Sequence, residues 1–258
     1  MNCLIISLCV ITICLASAKK PTSRIVGGDE ALVGEFPFAA AIYVRKDDGT
    51  YFCGGTLISN QWVLTSGHCV ENAVSFTIQL GSNTLQGNDP NRIVLSSSEY
   101  DLHPDFNSET LQNDIGLVKL RMAVEYTDYL RQIRFMPTYT LQDGAPTIAI
   151  GWGQISDDES GISNELRAVD LTSVSKAECQ LTYGSQIIDS MVCVNGNYNE
   201  GTCTGDMGTP LLQHVGRGYY LIVGVASFIS GNGCESTDPS GYTRTFSYMD
   251  WIKNVTNT

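Results

Sequence analysis

The chain has 258 residues, enough to bury a sizeable core, and its 25 glycines and 16% charged residues favour a turn-rich β protein. Its net charge is −12, and removing the three cationic residues before Ile25 takes this to −15. So acidic a chain is expected to bind neither nucleic acid nor an anionic membrane surface.

The N-terminus is predicted to be a secretory signal peptide spanning residues 1–18. An apolar run from Leu4 to Leu15 precedes Ala16-Ser17-Ala18, a small-residue pattern typical of a cleavage site. The run is short for a bilayer span, but no basic residue flanks it, so a membrane anchor remains the alternative. We therefore expect a secreted, extracellular protein, with residues 19–24 as a propeptide.

Removal of the signal peptide reduces nine cysteines to six. An even number in an oxidising compartment indicates three disulfides, although the spacing leaves about fifteen pairings open. Metal binding is the alternative, but the chain has no CxxC pair and only His68 adjoins a cysteine. We expect no metal and no cofactor. The six cysteines are Cys53, Cys69, Cys179, Cys193, Cys203 and Cys234.

Short strands are predicted from Phe38 onward, because apolar or alternating segments are separated by Gly, Asn and Asp clusters. This spacing predicts an all-β sandwich or barrel. One helix is predicted, at 246–255, where apolar residues recur at helical spacing. Within it, Asn254 begins the glycosylation sequon NVT. The strand segments are FAAAIYV, FCGGTLIS, WVLT, SFTIQL, RIVLSS, APTIAIGWG, GTPLLQHV and YYLIVGVASF.

Three segments carry candidate chemistry. The stretch from Gly201 to Pro210, GTCTGDMGTP, is a tight loop that can point successive backbone N–H groups at one anion. His68 ends the apolar segment WVLTSGHC, although a lone histidine is usually structural or simply exposed. Asp114 begins the apolar strand of LQNDIGLVKL, where a buried carboxylate would need a partner. The alternative is a turn aspartate that faces water.

Together these segments resemble the chymotrypsin-like serine proteases, from Ile25 to about Asn254. The loop resembles the family pattern GDSGGP, WVLTSGHC resembles TAAHC, and RIVGG after Ser23 resembles the activation junction. HPDFNSETLQNDIGL and GCESTDPSGYTRTFSYMDWI are most similar to the invertebrate brachyurin-type branch. The resemblance implies a peptidase-like domain, 25–258, with two six-stranded antiparallel β-barrels at roughly 25–130 and 131–245, closed by the helix.

The resemblance also implies roles for single residues. His68 would be the general base, Asp114 would orient it, and Ser227 would touch that aspartate. Met207 stands where the family has its nucleophilic serine, and the N–H groups of Gly205 and Met207 would form the oxyanion hole.

Activation and disulfide pairing follow from the same resemblance. A trypsin-like protease would cut after Arg24, and the new ammonium of Ile25 would pair with Asp206. An ordinary strand start is the alternative for this junction. The implied disulfides are Cys53–Cys69, Cys179–Cys193 and Cys203–Cys234.

The implied specificity pocket contains Gly201, Ser227, Ile229 and Ser240. Gly201 and Ser240 match positions where some relatives carry an acid, so this pocket is expected to favour apolar or small side chains. Ile229 stands where many relatives have glycine and is expected to narrow the mouth.

Two functions follow from Met207, whose thioether has no proton to give to His68. The first is a monomeric, inactive homologue that binds a protein or peptide ligand, a protease inhibitor as a decoy, or an active protease as its partner. The alternative is a digestive chymotrypsin-like endopeptidase with a substitute hydroxyl, from Thr204 or Thr209. Thr209 stands where the family has glycine, so restoring hydrolysis is expected to need Met207→Ser together with Thr209→Gly.

Overall fold

The structure is a computed structural model of the chain that describes residues 28–134, 136–196, 200–216 and 218–257. The predicted signal peptide and propeptide, with Arg24 and Ile25, lie outside the described residues. The strands form two antiparallel sheets. They are β1 (Asp29–Glu30), β2 (Ala39–Lys46), β3 (Gly49–Leu57), β4 (Trp62–Thr65), β5 (Ser75–Leu80), β6 (Ile93–Ser97), β7 (Glu99–Leu102), β8 (Gly116–Lys119), β9 (Pro146–Gly151), β10 (Arg167–Val174), β11 (Met191–Asn195), β12 (Pro210–His214), β13 (Tyr220–Phe228) and β14 (Ser240–Arg244).

The first sheet has the strand order β6-β5-β2-β3-β4-β8-β7. Its two outer strands, β6 and β7, are separated only by Ser98, so the chain itself closes the sheet into a barrel with six strand positions. Strand β5 alternates between buried and half-buried residues, because successive side chains of a strand point to opposite faces. Its buried side chains, Phe76, Ile78 and Leu80, fill the barrel interior.

The second sheet closes by hydrogen bonding, because β9 pairs with both β10 and β12. The resulting ring has six strands, and the two-barrel prediction is therefore confirmed. Strand β1 adds to this ring from outside, with Asp29 opposite Ala168. Residues 29–30 thus pair with the second barrel, although the expected boundary at residue 130 places them with the first.

The described part of the chain has three α-helices rather than the single one predicted: α1 (Gly67–Val70), α2 (Lys176–Tyr183) and α3 (Met249–Thr256). A 3₁₀ turn at Thr245–Tyr248 leads into α3. Sequence periodicity missed α2 because Cys179 is its one buried residue. A capping signal was present, since Ser175 accepts a hydrogen bond from the N–H of Glu178 at 3.1 Å. None of the helices described here has the length and apolarity to cross a membrane.

Hydrogen bonds join loops of the two barrels. The indole N–H of Trp152, a buried residue that follows β9, donates to the Asn83 carbonyl at 2.8 Å. The adjacent N–H of Leu85 donates to the Asn164 carbonyl at 2.9 Å. These contacts join the two barrels, so side chains from the first can meet side chains from the second.

Candidate active site

His68 and Asp114 come together through the pairing of β4 with β8. His68 lies in α1, just after β4, and Asp114 lies just before β8. The two strands are antiparallel with Thr65 opposite Gly116, which places the end of one beside the start of the other. The Nδ1 atom of His68 is 2.8 Å from Oδ2 of Asp114, and the His68 backbone N–H donates to Oδ1 at 2.8 Å.

The carboxylate of Asp114 is fully buried, and the hydrogen bonds around it offset the cost of burial. Ser227 in β13 of the second barrel donates its hydroxyl to Oδ2 at 2.6 Å. The backbone carbonyl of Asp114 also accepts a hydrogen bond, from the hydroxyl of Thr243 at 2.6 Å. Because the carboxylate only accepts, Nδ1 of His68 carries the proton and the Nε2 lone pair is left for another donor.

The loop from Gly201 to Pro210 approaches His68 from the second barrel. The Cys203–Cys234 disulfide anchors it. Gly205 has a φ of +97° and Gly208 a φ of +85°, a region that strongly favours glycine, and a Cβ on Gly208 would clash with the Thr65 hydroxyl. The Met207 carbonyl accepts from the Gly54 N–H at 2.7 Å, which ties the loop to β3.

The backbone N–H groups of Gly205 and Met207 have no hydrogen-bond partner within the part of the chain that the structure describes. They flank Asp206, whose own N–H bonds to the Cys203 carbonyl at 2.9 Å. Two unbonded amides in one tight loop are able to receive a ligand oxygen.

Asp206 lies beneath this loop with no solvent exposure. Its carboxylate accepts from the N–H groups of Gly153 at 2.7 Å and Cys203 at 2.9 Å. Burial nevertheless raises the pKa of Asp206 to about 7, because desolvation outweighs these two bonds. Among the described residues none forms an ion pair with it, and the partner expected from the sequence, Ile25, lies outside them.

Thr209 is part of the packing of the loop. It is buried, its hydroxyl donates to the Asp206 carbonyl at 2.6 Å, and its methyl group lies where a side chain on Gly54 would be. That hydroxyl is therefore committed to its own loop rather than to His68. Thr204 is exposed and lines the cleft.

The cleft beside His68 is a largely apolar cavity of about 450 Å³. Half-buried Met207 shares this cavity with the imidazole. Lys46 lies at its edge and donates to the His68 carbonyl at 3.0 Å. The remaining walls include Tyr51, Phe52, Phe228, Ile229 and the Cys53–Cys69 disulfide.

The predicted specificity pocket is nearly closed. Gly201, Ile229 and Ser240 line one cavity as expected, but its volume is only about 10 Å³, room for roughly one water molecule. Ser227 belongs instead with Asp114, as its hydrogen bond shows.

A carboxylate that the sequence reasoning missed also lines this small cavity. It belongs to Asp238, which accepts from the hydroxyl of Ser230 at 2.6 Å and the amide of Asn232 at 2.8 Å. These hydrogen bonds hold the pKa of Asp238 below its ordinary value. Asp238 lies outside the two positions to which the resemblance directs attention, and no local pattern marks it.

The structure contains the three expected disulfides, Cys53–Cys69, Cys179–Cys193 and Cys203–Cys234. The first joins β3 to the helix that carries His68, and the third joins the loop of Met207 to the wall of the small cavity. Asn254 of the glycosylation sequon is exposed on α3.

Comparison with known proteins supports this arrangement. The Trypsin family model matches residues 25–252. Brachyurin from Leptuca pugilator is 34% identical over 232 residues, which are 90% of this chain and 98% of that protein. Collagenase from Hypoderma lineatum is 36% identical over 238 residues, covering 90% and 87% of the two chains. A solved structure of HL collagenase has a TM-score of 0.81 and 34% identity, over 91% of this chain and 99% of that one.

The two closed barrels, the His68–Asp114 pair between them and these matches along most of the chain lead to one conclusion: the chain belongs to the trypsin family of chymotrypsin-like serine protease domains.

Proposed function

We propose that this protein is a secreted, proteolytically inactive homologue of the serine proteases and that it acts by binding. The observation that carries the proposal is the position of Met207, which shares the cleft with His68 at the tip of the anchored loop. An oxygen nucleophile is needed there to form an acyl-enzyme. A thioether has no proton to transfer to His68 and cannot replace it.

No neighbouring threonine is suited to the task. The Thr209 hydroxyl is buried and bonded to the Asp206 carbonyl, and Thr204 lines the cleft but makes no hydrogen bond to His68 among the described residues. Loss of the nucleophile in a comparable triad costs roughly 10⁶ in kcat. The hydrolysis rate that remains after such a loss is too low for a digestive enzyme.

Features for binding a peptide segment remain. The 450 Å³ cleft has mainly apolar walls, and the unbonded N–H groups of Gly205 and Met207 face no competing acceptor among the described residues. The closed cavity near Ser240 offers no room for a large side chain, so a ligand would lie along the cleft. We infer a monomer whose ligand is a protein or peptide, such as a protease inhibitor or an active protease.

The second candidate is an active chymotrypsin-like endopeptidase. It is favoured by the retained hydrogen bonds from His68 and Ser227 to Asp114, the arrangement that an active triad requires. The three disulfides suit secretion for either candidate.

An active-site sulfonyl fluoride separates the two candidates, because it needs an activated hydroxyl. Protein cleaved after Arg24 should remain unlabelled, whereas the matched Met207→Ser variant, prepared in the same way, should be labelled at residue 207. Labelling of the wild type together with peptide hydrolysis would overturn the inactive assignment. If the wild type remains unlabelled, capture of partners from the source secretion by this protein would identify its ligand.

A further inference from the structure

Ser66 is a buried hydroxyl group that the proposed function leaves unused. It lies between β4 and α1 and has no solvent exposure. Although Ser66 occupies the N-cap position of α1, its side chain makes no capping hydrogen bond. Its Oγ instead lies 3.5 Å from Nε2 of His68, its one side-chain partner in the described part of the chain.

The other atoms of the imidazole explain why this contact matters. Nδ1 of His68 is engaged by Asp114 at 2.8 Å, so Nε2 has the one remaining lone pair of the neutral ring. Met207 cannot donate to that lone pair. Ser66 can, and a buried hydroxyl without a partner would be unfavourable.

Ser66 also lies against the loop that carries Met207. A Cβ on Gly208 would lie 3.3 Å from the Ser66 backbone nitrogen, so the turn that carries Met207 rests directly on the end of β4. Because Asp114 engages Nδ1, a hydroxyl at residue 207 and the hydroxyl of Ser66 would both have Nε2 as their acceptor on the ring.

Resting on the proposed function, we propose that Ser66 is a positioning residue whose hydroxyl donates to Nε2 of His68. It holds the imidazole in its tautomer and orientation in place of a nucleophile. Ser66 itself does not attack a substrate, since its complete burial keeps a carbonyl carbon away from Oγ. One consequence is specific: in a protein with serine at residue 207, Ser66 competes with that serine for Nε2.

The first test is nitrogen NMR of the His68 ring in the full wild-type chain and in Ser66→Ala. Alanine is the residue at this place in the motif TAAHC, so this variant is expected to fold. The Nε2 resonance should shift towards that of an unbonded imidazole in Ser66→Ala. Thr65→Val is the matched control, because the Thr65 hydroxyl is also buried but donates to the Gly54 carbonyl at 2.8 Å. It should leave the resonance unchanged.

The second test compares Met207→Ser with the double variant Met207→Ser/Ser66→Ala. Releasing Nε2 should raise kcat by about two- to threefold with KM unchanged, the lower end of the range for one net hydrogen bond, because the contact is 3.5 Å long. A merely structural role for Ser66 would lower stability and leave this ratio near one.

The outcomes separate this inference from the proposed function. An unshifted His68 resonance in Ser66→Ala, which needs no hydrolysis to be seen, overturns the role of Ser66 and leaves the inactive assignment standing. Wild-type hydrolysis that persists in Ser66→Ala overturns the inactive assignment, while the shift still supports the role of Ser66. Sulfonyl fluoride labelling found on Ser66 itself would overturn both, because Ser66 would then be the nucleophile.

Discussion

Replacing Met207 by serine alone is expected to restore hydrolysis. The other members of the unit are already in place, with His68 Nδ1 2.8 Å from Asp114 and the Ser227 hydroxyl 2.6 Å from the same carboxylate. Effects within such a unit are strongly non-additive, so supplying the missing member can recover a large part of a deficit of roughly 10⁶ in kcat.

The structure argues against adding a second substitution to Met207→Ser. The sequence favoured adding Thr209→Gly, but Thr209 fills the space beside Gly54 and bonds to the Asp206 carbonyl. The change Thr209→Gly removes a buried methyl group and a hydrogen bond and adds a flexible glycine. Together these effects should lower the free energy of unfolding by about 2–4 kcal/mol. For a chain of this size that lowers the melting temperature by roughly 5–15 °C. We therefore expect the single variant to be both more stable and more active than the double variant.

The assay is kcat/KM on matched peptide esters for wild type, Met207→Ser and the double variant, each cleaved after Arg24. Melting temperatures measured on the same samples show whether each variant is folded. A folded Met207→Ser with no activity would refute the claim that the rest of the site is intact. A double variant more active than the single one would show that Thr209 does distort the loop.

Three further predictions follow from the site. Because the pKa of Asp206 is raised to about 7 from 3.8, the folded state of the chain not cut after Arg24 holds a proton that the unfolded state has lost between those pH values. Its stability should therefore fall from pH 4 to pH 7, by on the order of 4 kcal/mol, in urea unfolding; a fall of the same size in the cleaved protein or in Asp206→Asn would contradict this. Replacing Cys203 and Cys234 by alanine should lower the free energy of unfolding by about 3–4 kcal/mol, since the disulfide closes a loop with a sequence separation of 31. Reduction of this disulfide without a change in melting temperature would refute the prediction. In the restored enzyme, esters with a small side chain before the scissile bond should be preferred because the pocket holds only about 10 Å³, and Ile229→Gly should move that preference towards leucine; an unchanged ratio would show that other residues close the pocket.

Much of the fold could be predicted from the sequence, because the signals concerned are local. Alternating apolar residues predicted β5 and the long apolar run predicted β13, and the structure has both. Helical spacing predicted the terminal helix at 246–255, close to the observed α3 at Met249–Thr256. Helix α2 was missed because few of its residues are buried, so that the period of 3.6 is faint.

Family resemblance extended this reading to the site, since each motif is a short segment. WVLTSGHC directed attention to His68, and LQNDIGLVKL to Asp114. The contact between His68 and Asp114 depends on the register of β4 against β8, which cannot be predicted from either short segment. Ser227 reaches Asp114 only because the second barrel closes and places β13 against the first.

By itself the sequence determined the β class, the number of cysteines available for disulfides and the absence of a hydroxyl at residue 207. The tertiary structure alone decided that β1 joins the second barrel, that Asp238 lines a nearly closed pocket, and that Ser66 faces His68. The physical reason is the range of the interactions. Periodicity and turn chemistry act between residues a few positions apart, whereas barrel closure and pocket volume depend on contacts between residues that are distant in the chain.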